Sequence, residues 1–313
     1  MLPYILILIV AAVVLARSSV FLIEKLTDIA VKLRVSEYLV GFVIMAVATS
    51  IPELVVGIIA ALDNTPNLSL GNVIGSNIAN MSLILGLATL IAGGLRVEIK
   101  VRNREILFTD LIGIAPIIML LDGQLSRTEG FVLLLFFFIY IYNLIFQSRE
   151  YHKAVTDHRT PRSLLTELLL FGTGILVLIG SAQAMVWSSG KLAILLGIPM
   201  ILFGIFVVAL GTSLPELTTS ISAAVRRQSG FVMGNILGST VANSTLVLGI
   251  TAIIRPFAVE SPNILAFSGG VLVLTLLVLT YFIRTGYRIT KKESLALILG
   301  YVAYITATEL FFR

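Results

Sequence analysis

Apolar residues run along the chain in blocks close to the length that crosses the hydrocarbon of a bilayer, and short polar breaks separate them. The pattern predicts ten helices, at 2–23, 39–62, 70–94, 105–121, 129–147, 164–187, 198–225, 232–254, 262–283 and 294–312. No block alternates apolar and polar residues with a period of two, so a membrane barrel is not the reading. A segment surrounded by lipid must satisfy its own backbone hydrogen bonds, which leaves the helix as the spanning element. The expected fold class is an all-α membrane protein.

The first half of the pattern returns in the second. Ala48 to Leu54 reads Ala-Thr-Ser-Ile-Pro-Glu-Leu, and Gly211 to Leu217 reads Gly-Thr-Ser-Leu-Pro-Glu-Leu. A second block, Gly71 to Asn80, reads Gly-Asn-Val-Ile-Gly-Ser-Asn-Ile-Ala-Asn and returns from Gly234 to Asn243 as Gly-Asn-Ile-Leu-Gly-Ser-Thr-Val-Ala-Asn. The offset is 163 throughout, no gap is needed between 41–91 and 204–254, and about 20 of 51 positions are identical. Five spans per half is an odd number, so the second copy enters the membrane from the opposite side. The expected architecture is therefore ten transmembrane helices as two inverted five-helix repeats. Residues 1–150 form the first half, 151–163 a cytoplasmic linker and 164–313 the second half.

Composition agrees with this picture. Hydrophobic residues are 58% of the 313, charged residues 12%, and mean hydropathy is +1.03. A soluble chain carries about 25% charged residues. The first apolar block has no basic segment before it and reads as a span, not as a cleaved leader. There is no cysteine, which excludes disulfides and thiolate metal sites. Ten spans put 17 basic residues in the loops of one side and four (Arg127, Lys191, Arg255 and Arg313) on the other, with Arg17 inside the first span. Such a bias places the basic loops in the cytoplasm and both termini outside a multi-pass protein of the cell membrane. The net charge of +5 is thus explained by orientation, and no nucleic acid or protein partner is implied. His152 and His158 lie in the linker, read as a solvated connection.

Each repeat carries one glutamate within an apolar block, Glu53 and Glu216. A carboxylate at membrane depth is expensive and points to function. Pro52 and Pro215 precede them and free the carbonyls of Ala48 and Gly211, since proline donates no hydrogen bond. Ser50 and Ser213 lie three residues before the glutamates, and Thr49 and Thr212 add hydroxyls. Ser76 with Asn80, and Ser239 with Asn243, are four apart and share a helix face. Glycines at four-residue spacing, Gly71 with Gly75 and Gly234 with Gly238, allow close helix approach. Asn72 and Asn235 read equally well as interhelical ties or as ligands. Asp110, Glu309 and Trp187 read as interfacial. The set is rich in oxygen and free of sulfur and imidazole, which suits a hard cation such as Ca²⁺, with about 6–8 oxygens, or Na⁺.

The paired Thr-Ser-x-Pro-Glu and Gly-Asn-x-x-Gly-Ser-x-x-x-Asn blocks resemble the alpha repeats of the sodium/calcium exchanger family, in its compact prokaryotic form. The resemblance spans essentially the whole chain. It implies that the second, third, seventh and eighth helices surround a central site. It also implies that Glu53 and Glu216 bind Ca²⁺, and that Thr49, Ser50, Ser76, Thr212, Ser213 and Ser239 complete the Ca²⁺ and Na⁺ sites. The backbones of Ala46 and Ala209 match positions that contribute carbonyls, and the first and sixth helices would slide to alternate access. One position departs: where the second repeat of such exchangers ends its block with aspartate, this chain has Asn243, matching Asn80.

The expected function is secondary active antiport of Ca²⁺ for Na⁺ at a midplane site. The alternatives are a proton/calcium exchanger, favoured by the neutral Asn243, and a cation channel. No enzyme is expected, because no His-Glu-x-x-His and no Ser-His pair within the membrane can be placed. No cofactor is implied beyond the transported ions, Ca²⁺ and Na⁺ or H⁺, and the bilayer is the expected surrounding.

Overall fold

The computed structural model describes residues 1–32, 45–96, 104–148 and 163–312. The linker, with His152 and His158, and the predicted start of the second span lie outside the described residues. Helices dominate: α1 Leu2–Lys32, α2 Met45–Thr49, α3 Ile51–Leu62, α4 Pro66–Ala92, α5 Arg104–Met119, α6 Arg127–Ser148, α7 Leu164–Leu196, α8 Met200–Thr212, α9 Leu214–Val225, α10 Ser229–Ile254, α11 Pro262–Gly286 and α12 Lys291–Phe312. Seven of these are long and apolar enough to cross a membrane, and α8 with α9 makes an eighth, bent by 43°. Among the described residues, α3 (12 residues) and α5 (16 residues) are too short to cross alone.

Several boundaries differ from the sequence pattern for local reasons. α4 begins at Pro66 rather than 70, because proline is well suited to the first turn, where no donor is needed. α8 begins after Pro199, which sits at its N-cap. α1 and α7 overrun their predicted ends, reaching Lys32 and Leu196. The C-terminal turns of α1 and the first turn of α7 are tied together by Lys25, whose Nζ lies 2.7 Å from Asp28 Oδ2 and 3.1 Å from Glu167 Oε2. The far end of α7 stops at Gly197, whose φ of 66° a side chain would resist.

Burial sorts the helices into an inner and an outer set. The apolar windows of α4 and α10 are 78% and 83% buried, against 22% for α7. The two inner helices carry the asparagine blocks. α7 and α6 turn leucine, isoleucine and phenylalanine outward, among them Leu176, Ile194, Phe131 and Phe138, as lipid-facing helices do. α1 packs along α7 through Leu8, Ala11 and Leu15 against Ala182 and Met185.

Four two-residue strands staple the loops. β1 (Leu95–Arg96) pairs antiparallel with β4 (Arg288–Ile289), and β2 (Gln124–Leu125) with β3 (Phe257–Ala258). Moving β1 by the repeat offset lands on β3, within a residue, and moving β2 lands on β4. The repeat operation thus exchanges one ribbon for the other. Each ribbon also joins loops that charge assigns to a common side: Arg96 with Arg288, and the loop before Arg127 with the loop after Arg255. Asn67 extends the second group. Its Nδ2 donates to the Ala258 carbonyl at 3.0 Å, and its Oδ1 accepts from Glu260 N at 3.0 Å.

Candidate functional site

The site begins with two helix breaks. α2 ends at Thr49 and α3 starts at Ile51; α8 ends at Thr212 and α9 starts at Leu214. The breaks fall at Ser50 and Ser213, so each proline opens a new helix in its first turn instead of interrupting a continuous one. That placement sets Glu53 and Glu216 in first turns, where the backbone N–H groups favour negative charge. Both glutamates are fully buried, and so are Thr49, Thr212, Ser76, Ser239, Asn80 and Asn243; Ser50 and Ser213 are nearly so.

The glycines bring α4 onto α8. A Cβ on Gly71 would lie 2.1 Å from the Ile201 carbonyl oxygen, and one on Gly75 2.4 Å from that of Ile205. Gly204 reciprocates, at 2.4 Å from the Leu68 oxygen. Backbone meets backbone here, which is why the hydroxyls of α4 reach the broken helix. Gly234 and Gly238 are likewise buried, in α10.

Hydrogen bonds then cross between the copies with the symmetry of the repeat. Thr212 Oγ1 donates to Asn72 Oδ1 at 3.0 Å, and Thr49 Oγ1 to Asn235 Oδ1 at 3.1 Å. Ser76 lies 3.5 Å from Thr212, and Ser239 lies 3.1 Å from Thr49. Asn72 and Asn235 therefore act as interhelical ties. Ser76 and Ser213 each donate to Glu53 Oε1 at 3.5 Å. The Ala209 carbonyl accepts from Ser76 Oγ at 3.5 Å and Thr212 Oγ1 at 3.3 Å, which draws it into the same network. Ala46 lies in α2, one turn before Ser50.

What remains is a group of buried oxygens without a hydrogen-bond partner: Glu53 Oε2, both oxygens of Glu216, Asn80 Oδ1 and Asn243 Oδ1. Uncompensated buried acceptors are costly and need an explanation. These come from both halves, and the two carboxylates are near enough to interact electrostatically. A hard cation would compensate them all at once. Only two acidic groups contribute, since among the described residues no cluster of three His, Cys, Asp or Glu side chains forms.

Two features were not expected from the sequence. α4 and α10 widen into π-helical turns at Asn80–Ile84 and Asn243–Val247, beginning at equivalent asparagines. Such turns gather at functional sites and shift the backbone bonding by one residue. Asn77 also joins the site, bonded to Asn243. Of the residues read as interfacial, Asp110 accepts from Thr280 at 2.7 Å, tying α5 to α11, and Trp187 is half-exposed against Tyr4.

Comparisons with known proteins identify the family of the chain. The family model described as sodium/calcium exchanger protein matches residues 3–146 and 166–308. The sodium/calcium exchanger MaX1 of Methanosarcina acetivorans is 29% identical over 96% of this chain and 97% of its own. The inner membrane protein YrbG of Escherichia coli is 32% identical, over 71% of each chain. Among solved structures, the sodium-calcium exchanger NCX_Mj soaked with Na⁺ and Sr²⁺ superposes with a TM-score of 0.68 at 29% identity, covering 97% of both chains.

Proposed function

Because the chain belongs to the sodium/calcium exchanger protein family, whose members are membrane transporters and not enzymes, we propose that it is a secondary antiporter exchanging Ca²⁺ for Na⁺ across the cell membrane. The observation that carries this reading is the set of five buried, unpartnered oxygens contributed by both repeats. Glu53 and Glu216 supply the charge. Asn80 and Asn243 supply amide oxygens, and Thr49, Ser50, Ser76, Thr212, Ser213 and Ser239 supply hydroxyls. Ala46 and Ala209 supply backbone carbonyls.

The architecture behind it is ten crossings in two inverted halves, 1–150 and 164–313. α2 with α3 forms one crossing, α8 with α9 another, and α5 with its 3-10 extension at Leu120–Asp122 a third. The exchange of ribbons under the repeat offset supports the inversion. The sorting of ribbons with the charged loops supports a cytoplasmic basic side and outward termini. Na⁺ or Ca²⁺ binds at the break of the two helices, and α1 with α7 moves as one packed pair to open the site to either side. The empty site keeps two carboxylates at membrane depth and crosses poorly, so movement requires an ion.

Asn243 bears on the stoichiometry and leaves the proton open as a coupling ion. With two carboxylates, two monovalent ions balance the site as one Ca²⁺ does, whereas a third Na⁺ leaves an excess positive charge in low dielectric. Two protons satisfy the same balance, so proton/calcium exchange is the competing reading. In either case Glu53→Gln and Glu216→Gln abolish Ca²⁺ exchange in proteoliposomes while the protein still elutes as a folded species. Ion-dependent flux retained in both variants rejects the site.

A further inference from the structure

The central site is made from two copies of one motif, yet its two asparagines are held differently. Asn243 Nδ2 donates to Asn77 Oδ1 at 3.2 Å. Asn77 Nδ2 in turn donates to Ser244 Oγ at 2.9 Å and to the Thr240 carbonyl at 3.5 Å. A backbone carbonyl only accepts. The Asn77 atom facing it is therefore nitrogen, its oxygen faces Asn243, and Asn243 must meet that oxygen with its own nitrogen. The polarity of the whole relay is set by one main-chain oxygen. Its outcome is that Asn243 Oδ1 is left buried and without a partner. Asn77, Thr240 and Asn243 are fully buried and Ser244 nearly so, so water does not compete for these bonds.

The other half lacks the relay. The position equivalent to Asn77 is Thr240, whose Oγ1 turns back to the Ile236 carbonyl of its own helix at 2.9 Å. Asn80, the counterpart of Asn243, has neither side-chain atom partnered.

We infer that Asn77 is a positioning residue that locks the Asn243 amide with its oxygen toward the ion, while Asn80 stays free to turn. This rests on the ion site proposed above. A locked oxygen is ordered before the ion arrives and costs little on binding, whereas a free amide must be ordered at that moment. The two repeats thus contribute one preorganised and one adaptable ligand. Loss of the lock acts on affinity, because an Asn243 free to flip must be ordered with its oxygen toward the cation when the ion binds.

The test is Ca²⁺ affinity of the full chain in detergent, read by calcium-dependent thermal stabilisation, beside the Ca²⁺ concentration for half-maximal exchange in proteoliposomes. Asn77→Ala weakens Ca²⁺ binding about tenfold, as loss of a supporting partner to a metal ligand does, and raises the half-maximal concentration by a similar factor. Asn77→Thr gives the same loss, and its side chain is one the equivalent position already accommodates, so it serves if the alanine variant does not fold. On an Asn243→Ala background Asn77→Ala has little further effect, while on an Asn80→Ala background its full effect remains. An equal effect on both backgrounds, or no loss of affinity, overturns the inference. If Glu53→Gln and Glu216→Gln keep wild-type affinity, the ion site itself fails. If they lose binding while the Asn77 effect is equal on both backgrounds, only the role of Asn77 fails.

Discussion

At the scale of single residues, the two glutamates are equivalent by sequence and unequal by environment. Glu53 has one oxygen engaged by Ser76 and Ser213, whereas both oxygens of Glu216 lack a partner. An ion bound there would offset these buried acceptors and so stabilise the folded chain. Saturating Ca²⁺, at about a hundred times its dissociation constant, should stabilise the wild type by roughly 2.7 kcal/mol. Thermal unfolding in detergent should show that rise in the wild type and none in Glu216→Gln; an equal rise in the variant would place the ion elsewhere. Most of these residues were legible because they occur twice: one buried glutamate is ambiguous, and two in matching Thr-Ser-x-Pro-Glu blocks are not. The same filter concealed Asn77, since its counterpart is Thr240 and repetition gives it no mark. Asn72 and Asn235 carried the mark, but only geometry identifies them as ties to Thr212 and Thr49.

At the scale of elements, the arrangement depends on how closely α4 meets α8. Gly71→Ala and Gly75→Ala press a methyl group onto main-chain oxygens, which have no rotamer to escape into. Each should destabilise the protein by about 1–3 kcal/mol or more, as overpacking does. Gly172→Ala, in α7 with nothing within 4 Å of the added carbon, should be nearly neutral. Thermal midpoints of the three variants decide this, and a neutral Gly71→Ala would mean that the helices stand farther apart. The close approach was readable from the four-residue glycine spacing. The breaks at Ser50 and Ser213 were half readable: proline announces a discontinuity, but it can as well start a helix as interrupt one. The π-helical turns at Asn80 and Asn243 left no trace in sequence, because an extra residue in a turn is decided by tertiary packing and not by local preference.

At the scale of the molecule, the apolar pattern alone predicted ten spans; among the described residues the structure shows seven long ones and an eighth bent at its break, while α3 and α5 are too short to cross alone. The proposed sidedness rests on the basic loops and is open to direct test, because the chain has no cysteine of its own. A single cysteine in place of Asp63 should react with an impermeant maleimide from outside the cell, and one in place of Arg227 only after the membrane is opened. The reverse pattern would invert the assigned topology. The central claim, Ca²⁺ for Na⁺ exchange, is tested most directly by Ca²⁺ uptake into proteoliposomes driven first by an outward Na⁺ gradient and then by an outward H⁺ gradient, with Glu216→Gln as the blank. Uptake under the Na⁺ gradient, absent in the blank, is the predicted result; uptake under the H⁺ gradient alone, or under neither, would contradict it.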